Sequence, residues 1–380
     1  EALDALRKTA PTFYDQARAL TERQKFEEAL DKIDMSITID DEKAEFHVQR
    51  GNILQILMRF EEAAASYRQA LTLNPKQQFA TDNLALSEKF REAMARDKKI
   101  PRELLMELHA ACRKQERVGE GIALGAKLQA SIQDQLPLWR SRIRDWLGFD
   151  KLNLNPDGAL RLDLDGLPIT DITPLQGIQI DALSLISTRV YDLSPLAGMP
   201  LKKLSIQSSK VSDLTPLKGM PLISLTLQGC RQITNLMPLK GMQLQELLAS
   251  ETDVSDLTPL MNMPLKVLRI RSTKVTDLTP LKGMSLTELD VSCTEIRDLT
   301  PLTGMPLKEL NLLACAYISD LISLKGMSLN GFYFTPNKIT KGIEIIREMK
   351  TLTTIGKSPG EGLHWPAAEF WKKYDAGEFK

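Results

Sequence analysis

The chain has 380 residues and a mass of 42.6 kDa, more than one typical domain requires. Basic and acidic residues both number 49, so the formal net charge is zero and a strongly basic nucleic-acid footprint is excluded. Apolar residues at 43% and charged residues at 26% are typical of a folded chain rather than a disordered one, and no apolar run is long enough to predict a transmembrane helix.

The first part of the chain predicts paired helices. Residues 10–43 and 44–77 form two units of 34 residues in the same register, in which small residues would let antiparallel helices approach and an aromatic residue would fill the groove between pairs. This spacing resembles the tetratricopeptide repeat. Residues 78–135 continue the pattern in degenerate form, so residues 1–135 are predicted as a helical array. The diagnostic positions are Ala17, Phe26, Ala29, Ile33 and Ser36 in the first unit and Gly51, Phe60, Ala63, Tyr67, Ala70 and Pro75 in the second.

Residues 136–158 are predicted to join this array to a different architecture. We expect a linker near 136–150, followed by an N-terminal cap around 150–160. Trp139 and Trp146 precede that cap.

Residues 159–356 predict a solenoid. A segment of the type DLTPLKGM recurs with prolines at positions 174, 195, 216, 238, 259, 280 and 301, a step of 21 residues with one step of 22. An LxxLxL strand pattern follows each copy, as in leucine-rich repeats. We therefore expect a parallel concave sheet and short 3-10 turns on the convex side, where aspartate caps the turn and proline fits its start. The glycine after each turn, replaced once by Asn262, predicts left-handed backbone.

A small polar residue follows each pair of core residues and is expected to plug the turn between coils. The plug positions are Thr188, Ser209, Cys230, Thr252, Thr273, Thr294, Cys315 and Asn337.

The ninth unit, starting at Leu329, then leads into a helix at 342–350 and a last strand near 352–355. The tail at 357–380 holds large aromatic residues and is expected to dock on the last repeats; a partner-recognition peptide is the alternative.

Catalytic chemistry is not expected in this chain. Four cysteines show no CxxC spacing and favour a reducing compartment, and the three histidines lack metal-ligand spacing. The segment GEGIALGAK (119–127) does not fit a phosphate-binding loop, and no kinase or GxSxG motif is present. The sequence predicts neither an enzyme nor a cofactor, and a cryptic enzyme, which would need a pocket of converging carboxylates, is kept only as an alternative.

Function is therefore expected on surfaces, with a protein or peptide as the partner. Alternation along each strand points two columns of side chains outward, and apolar residues and arginines gather toward the C-terminal end, as in interaction hot spots. Arg269–Asp290 and Arg271–Glu251 ion pairs are the competing structural use. A second candidate surface is the groove of the helical array, with Phe13, Gln16, Gln49 and Asn52. The predicted partner-binding residues are Leu248, Arg269, Arg271, Asp290, Asn311, Leu313 and Tyr333.

Two resemblances extend this interpretation. The D-[IL]-[ST]-P-L segments resemble internalin-like leucine-rich repeats, although internalin units mostly step by 22 residues. Helix pairs, DLSPLKGM-type repeats and the closing AEFWKKYDAGEF together resemble the C-terminal regions of bacterial serine/threonine protein kinases of planctomycete and verrucomicrobial type. That resemblance implies a kinase domain upstream of Glu1 and a recognition role, while the cysteine usage favours a cytoplasmic location unless an upstream signal peptide directs the chain to the surface or periplasm. The internalin resemblance leaves an exported or surface adhesion protein as the alternative, and the oligomeric state stays open.

Overall fold

A computed structural model describes residues 6–97, 100–128, 132–156, 158–356 and 364–379. The chain divides into two compact units, residues 1–150 with 173–178 and residues 151–172 with 179–380. The predicted fold class, a helical array followed by a leucine-rich-repeat solenoid, is confirmed. The helices of the array are α1 (Ala10–Glu22), α2 (Phe26–Ile39), α3 (Ala44–Ile56), α4 (Phe60–Leu73), α5 (Gln78–Asp97), α6 (Arg102–Lys114), α7 (Val118–Leu128) and α8 (Ile132–Leu147).

The turn within each helix pair has one recurrent geometry. Gln24, Met58 and Glu116 have φ of 59°, 62° and 55°, the left-handed conformation that ends a helix. The next residue closes the turn, as when the Lys25 N–H donates to the Leu20 carbonyl at 2.9 Å. These three turns define the pairs α1/α2, α3/α4 and α6/α7, and α5 lies between the second and third pairs as a single long helix.

The expected close approach of paired helices occurs at Gly51. A Cβ atom there would lie 2.6 Å from the Tyr67 ring, so only glycine lets α3 and α4 pack this closely. Tyr67 is fully buried as a consequence.

The expected linker is largely helical, which corrects the prediction for residues 136–147. Pro137 lies inside α8, where it removes one helical hydrogen bond. Trp139 and Ile143 lie one turn apart on the same face of α8 and are fully buried. Burial of these two side chains outweighs the local cost of the proline.

The solenoid contains one twelve-stranded sheet whose spatial order follows the chain. β2 to β11 are parallel, whereas β1 and β12 cap the ends as antiparallel partners of β2 and β11. Helix α9 (Ile343–Arg347) precedes β11, and α10 (Ala367–Asp375) follows β12. The strands are β1 (Leu152–Leu154), β2 (Leu160–Asp163), β3 (Ala182–Ser184), β4 (Lys203–Ser205), β5 (Ser224–Thr226), β6 (Glu246–Leu248), β7 (Val267–Arg269), β8 (Glu288–Asp290), β9 (Glu309–Asn311), β10 (Gly331–Tyr333), β11 (Thr354–Gly356) and β12 (His364–Pro366).

The convex side carries the predicted short 3-10 turns, for example at Thr279–Leu281. The residue that ends each repeat's turn has positive φ, including Asn262 at 61° and Gly219 at 73°, so the left-handed prediction is confirmed. The plug prediction is also confirmed: buried Thr273 donates to the Ile270 carbonyl at 2.8 Å, and Cys230 donates to the Ile206 carbonyl of the preceding coil at 3.0 Å. It was wrong for Asn337, which is exposed, because Pro336 takes the buried place.

The predicted docking of the tail is confirmed for its described residues. Strand β12 pairs with β11, and the fully buried Phe370 lies with its ring centroid 5.9 Å from that of Phe334, which directly follows β10. The aromatic residues of the tail therefore close the apolar core at the C-terminal end of the solenoid.

The aspartates that precede the 3-10 turns should make the solenoid sensitive to acid. In each, Oδ1 accepts the N–H of the threonine two residues on at 2.8 Å, and hydrogen bonds from the side chain and backbone of that threonine lower the pKa of the aspartate. A lowered folded-state pKa contributes stability that is complete above the unfolded pKa of about 4 and is lost as pH falls through the folded value. The residues concerned are Asp213, Asp256, Asp277 and Asp298.

We therefore expect the quadruple variant Asp213→Asn, Asp256→Asn, Asp277→Asn and Asp298→Asn to flatten the loss of thermal stability below pH 4. Asn235 already makes the same bond to Met237 N–H at 2.8 Å, so the amide preserves the turn. Melting temperatures measured across the acidic range check this expectation. An acid-induced decrease as steep as that of the wild type would contradict it.

Candidate binding surface on the concave face

The sheet register aligns the last residues of the parallel strands into one column on the concave face. Leu248, Arg269 and Asp290 are direct neighbours in this column, and Asn311 and Tyr333 continue it. Because the side chain two residues further on points the same way, Arg271 and Leu313 lie in a second column.

Six of the seven predicted residues line a single cleft of about 570 Å³ at the C-terminal end of this face. Leu248 is half-buried and lies outside it. The cleft contains Arg269, Arg271, Asp290, Asn311, Leu313 and Tyr333, together with Glu288, Glu309, Ser292 and the strand residues Leu289 and Leu310.

The cleft holds one internal ion pair, and it differs from the expected one. Arg269 Nε lies 2.5 Å from Glu288 Oε1, whereas the sequence suggested a bond to Asp290. Asp290 instead accepts the N–H of Ser292 at 2.9 Å and its hydroxyl at 2.6 Å. Because Asp290 already accepts these two local hydrogen bonds, the Arg269 guanidinium pairs instead with Glu288, the first residue of the same strand, β8.

Two charged groups in the cleft have no partner among the residues that the structure describes. The Arg271 side chain is exposed and makes no ion pair, so the suggested bond to Glu251 is absent there. Glu309 is half-buried, and its carboxylate has neither a hydrogen bond nor an ion pair in the same set of residues. Burial, and secondarily the nearby Glu288, raises the pKa of Glu309.

Tyr333 and Leu313 supply half-buried apolar surface in the same cleft. Burial, with a smaller effect from Glu309 and Glu288, raises the pKa of Tyr333, so the phenol is neutral and can donate a hydrogen bond. Asn311 is buried, and its Oδ1 accepts a hydrogen bond from the Leu313 N–H at 3.0 Å.

The sequence interpretation missed a third column on the concave face. Glu288 and Glu309 are the first residues of β8 and β9, and they face the same side as Asp290 and Asn311 two positions later. A Cβ atom at Gly331 would overlap the Glu309 carboxylate, so the glycine in β10 leaves room for this side chain. The period-two pattern that located the other columns would have located this one.

The second candidate surface, the helical groove, does not offer Asn52 to a ligand. Asn52 is buried, and its Oδ1 accepts hydrogen bonds from the Tyr67 hydroxyl at 2.8 Å and the Asn83 amide at 3.2 Å. Arg117 donates to the Asn52 carbonyl at 3.0 Å. This part of the groove is filled by the chain itself, so the prediction was wrong for Asn52.

Helix α7, which begins just after Arg117, also packs closely in this region. A Cβ atom at Gly119 would collide with the Thr21 carbonyl oxygen, which shows how closely α7 approaches α1. Gln49 donates to the Thr21 hydroxyl at 3.3 Å, while Phe13 is half-buried and Gln16 is exposed. Only the outer part of the predicted groove surface faces solvent.

Comparisons with known proteins add little to this geometry. No protein-family model matches the sequence, and no curated protein matches it. Among solved structures, the functional domain of InlJ from Listeria monocytogenes, which includes a cysteine ladder, is similar at 17% identity and a TM-score of 0.29. The match covers 51% of this chain and 57% of that domain. At this TM-score the likeness carries no weight for function, which we infer from the chain's own residues.

In the described residues, no helix is long and apolar enough to cross a membrane, and no group of three or more His, Cys, Asp or Glu could hold a metal ion. All four cysteines are free thiols, and only Cys293 is exposed. Burial raises the pKa of Cys112 to about 11, which keeps that thiol protonated and unreactive at neutral pH.

Proposed function

We propose that this chain is a non-catalytic interaction module that binds an extended segment of a protein partner in the C-terminal cleft of the concave face. One observation carries the proposal: Arg271 and Glu309 are oppositely charged, have no intramolecular partner among the described residues, and line the same cleft as the apolar surface of Leu313 and Tyr333. Apolar and arginine anchors inside a cleft are the usual composition of an interaction hot spot.

The positions of these charges define the partner's chemistry. Arg271 and Glu309 lie two strands apart and four residue positions apart along the strand direction, which corresponds to roughly 16 Å between their backbones. An extended peptide spans this distance with about five residues. We therefore infer a segment with an acidic residue opposite Arg271, a basic residue opposite Glu309, and an apolar or aromatic side chain that contacts Leu313 or Tyr333.

We further propose that the module is the recognition part of a larger cytoplasmic bacterial signalling protein, such as a serine/threonine kinase. The free cysteines support a reducing compartment, and the repeat and tail motifs resemble those of such kinases. A signalling enzyme needs a surface that selects its substrate or regulator, and the cleft would supply one.

A displayed library of random 12-residue peptides, selected on the full chain, tests the binding proposal. We expect enriched peptides with an acid and a base about five residues apart, and we expect Arg271→Glu and Tyr333→Ala each to weaken their binding at least about tenfold, which corresponds to 1.4 kcal/mol. The matched control Arg189→Glu reverses an exposed arginine outside the strands and should leave binding unchanged. Enrichment of peptides that bind all three variants as well as the wild type would contradict the proposal.

A further inference from the structure

A second cleft, of about 490 Å³, lies at the N-terminal end of the concave face and shares no lining residue with the first. Strands β1 to β5 build it, and its lining combines leucine and alanine side chains with two cations, one carboxylate, side-chain amides and hydroxyl groups. Its principal polar residues are Asn153, Asn155, Arg161, Ser184, Lys203 and Ser205.

Arg161 and Lys203 lie on either side of Ala182, on the two strands that neighbour β3. The register places Arg161 beside Ala182 and Ala182 beside Lys203, so the two cations lie two strands apart, roughly 10 Å between their backbones. Both side chains are exposed and have no ion pair or hydrogen bond among the described residues. Only the methyl group of Ala182 stands between them, and both side chains are long enough to converge above it.

An unsatisfied hydroxyl lies next to this opening. The Ser205 Oγ atom is buried and has no hydrogen-bond partner in the part of the chain that the structure describes. Rotation about the Cα–Cβ bond turns this hydroxyl toward the cleft, where it can donate to a bound group. The neighbouring Ser184 hydroxyl is already used, since it donates to Asp165 Oδ1 at 2.5 Å.

The lining favours an anion over a neutral ligand. The lining residues include two unpaired cations and one carboxylate, that of Asp163. The Oδ1 of Asp163 already accepts the Asp165 N–H at 3.0 Å. No aromatic ring is among the described lining residues, so the stacking surface that sugars use is missing. A guanidinium fork, an ammonium group and a free hydroxyl together match an anion with several oxygens and more than one negative charge.

From this arrangement we infer a binding site for a phosphate monoester, held between Arg161 and Lys203 above Ala182 with Ser205 as an additional donor. The site is separate from the C-terminal cleft, so its test is independent of the proposed function.

Isothermal titration of the full chain at low salt tests this site with four probes. They are a seven-residue alanine–glycine peptide with a central phosphoserine, the same peptide with serine, inorganic phosphate, and AMP. We expect the phosphoserine peptide or AMP to bind at least tenfold more tightly than the serine peptide, with an affinity that falls as salt rises. Tighter binding of the phosphoserine peptide indicates a phosphorylated protein as the source of the group, and tighter binding of AMP indicates a nucleotide.

Two variants locate the binding, and one serves as the control. Arg161→Gln with Lys203→Gln removes both cations, and Ala182→Glu places a carboxylate between them; each should reduce affinity for the phosphorylated probe at least tenfold. Lys274→Gln removes an exposed lysine that is paired with Asp253 and should change nothing. Circular dichroism confirms that the variants fold. Equal binding of serine and phosphorylated probes by the wild type, or equal affinity of all variants, would overturn the inference.

Discussion

Replacement of Arg117 by alanine is expected to destabilise the helical unit by about 3–5 kcal/mol. The guanidinium is buried and lies 3.3 Å from the carboxylate of Glu120, which is also buried. It also donates to the Gln55 side chain at 3.0 Å and to the Asn52 carbonyl at 3.0 Å. Loss of the arginine leaves the Glu120 charge buried without its partner and several acceptors unsatisfied.

Urea unfolding, followed by the helical circular dichroism signal, measures this change, because the regular helices lie mainly in residues 10–147. Arg59→Ala is the matched control: its bidentate pair with Glu62 at 2.7 Å is exposed, and such pairs contribute less than about 1 kcal/mol. If Arg117→Ala lowered the free energy of unfolding no more than Arg59→Ala, the network would not hold α7 against α3.

Replacement of Phe370 by alanine is expected to cost about 3–5 kcal/mol in the stability of the C-terminal cap. Phe370 is fully buried, and its ring centroid lies 4.9 Å from that of Phe379 and 5.1 Å from that of Trp371. Because solenoid stability depends on nearest-neighbour interfaces, a cap weakened this far should detach and expose the edge of β11.

Hydrogen exchange across β11, β12 and α10, combined with light scattering, measures cap detachment and edge-to-edge association. We expect fast exchange in these elements and association in Phe370→Ala. Tyr191→Ala, which removes an aromatic ring that is 63% exposed, should leave both readouts at the wild-type level. Protected exchange in the Phe370 variant would show that the solenoid core does not depend on the cap.

The regular features of this protein could be predicted from the sequence because each coil repeats the same pattern of inward apolar residues and turn residues. Apolar alternation identified the inward residues of every strand, and the Asp, Pro and Gly spacing identified the convex turns. Asn262 was informative, since asparagine is the residue that replaces glycine where φ is positive. Proline did not stop α8, because burial of Trp139 and Ile143 was a tertiary effect that local propensity does not contain.

Pairing choices within the surfaces could not be predicted in the same way. Arg269 had Asp290 and Glu288 within reach on the next strand, and the local bond between Asp290 and Ser292 decided between them. Asn52 looked available on its helix, yet residues 31 and 65 positions later fill its surroundings. Such long-range partners have no signature in local spacing. The columns themselves followed from periodicity, and Glu309 was missed only because the first strand position was not included.

A charge-exchange experiment on the C-terminal cleft tests the central claim most directly. A peptide enriched on the full chain is titrated against the wild type and Arg271→Glu, and then a peptide with its acidic residue changed to lysine is titrated against both. We predict that each single change weakens binding at least about tenfold and that the exchanged pair recovers most of the loss, as expected for a direct ion pair. Additive losses with no recovery would contradict the assignment of Arg271 as the contact for an acidic residue of the partner.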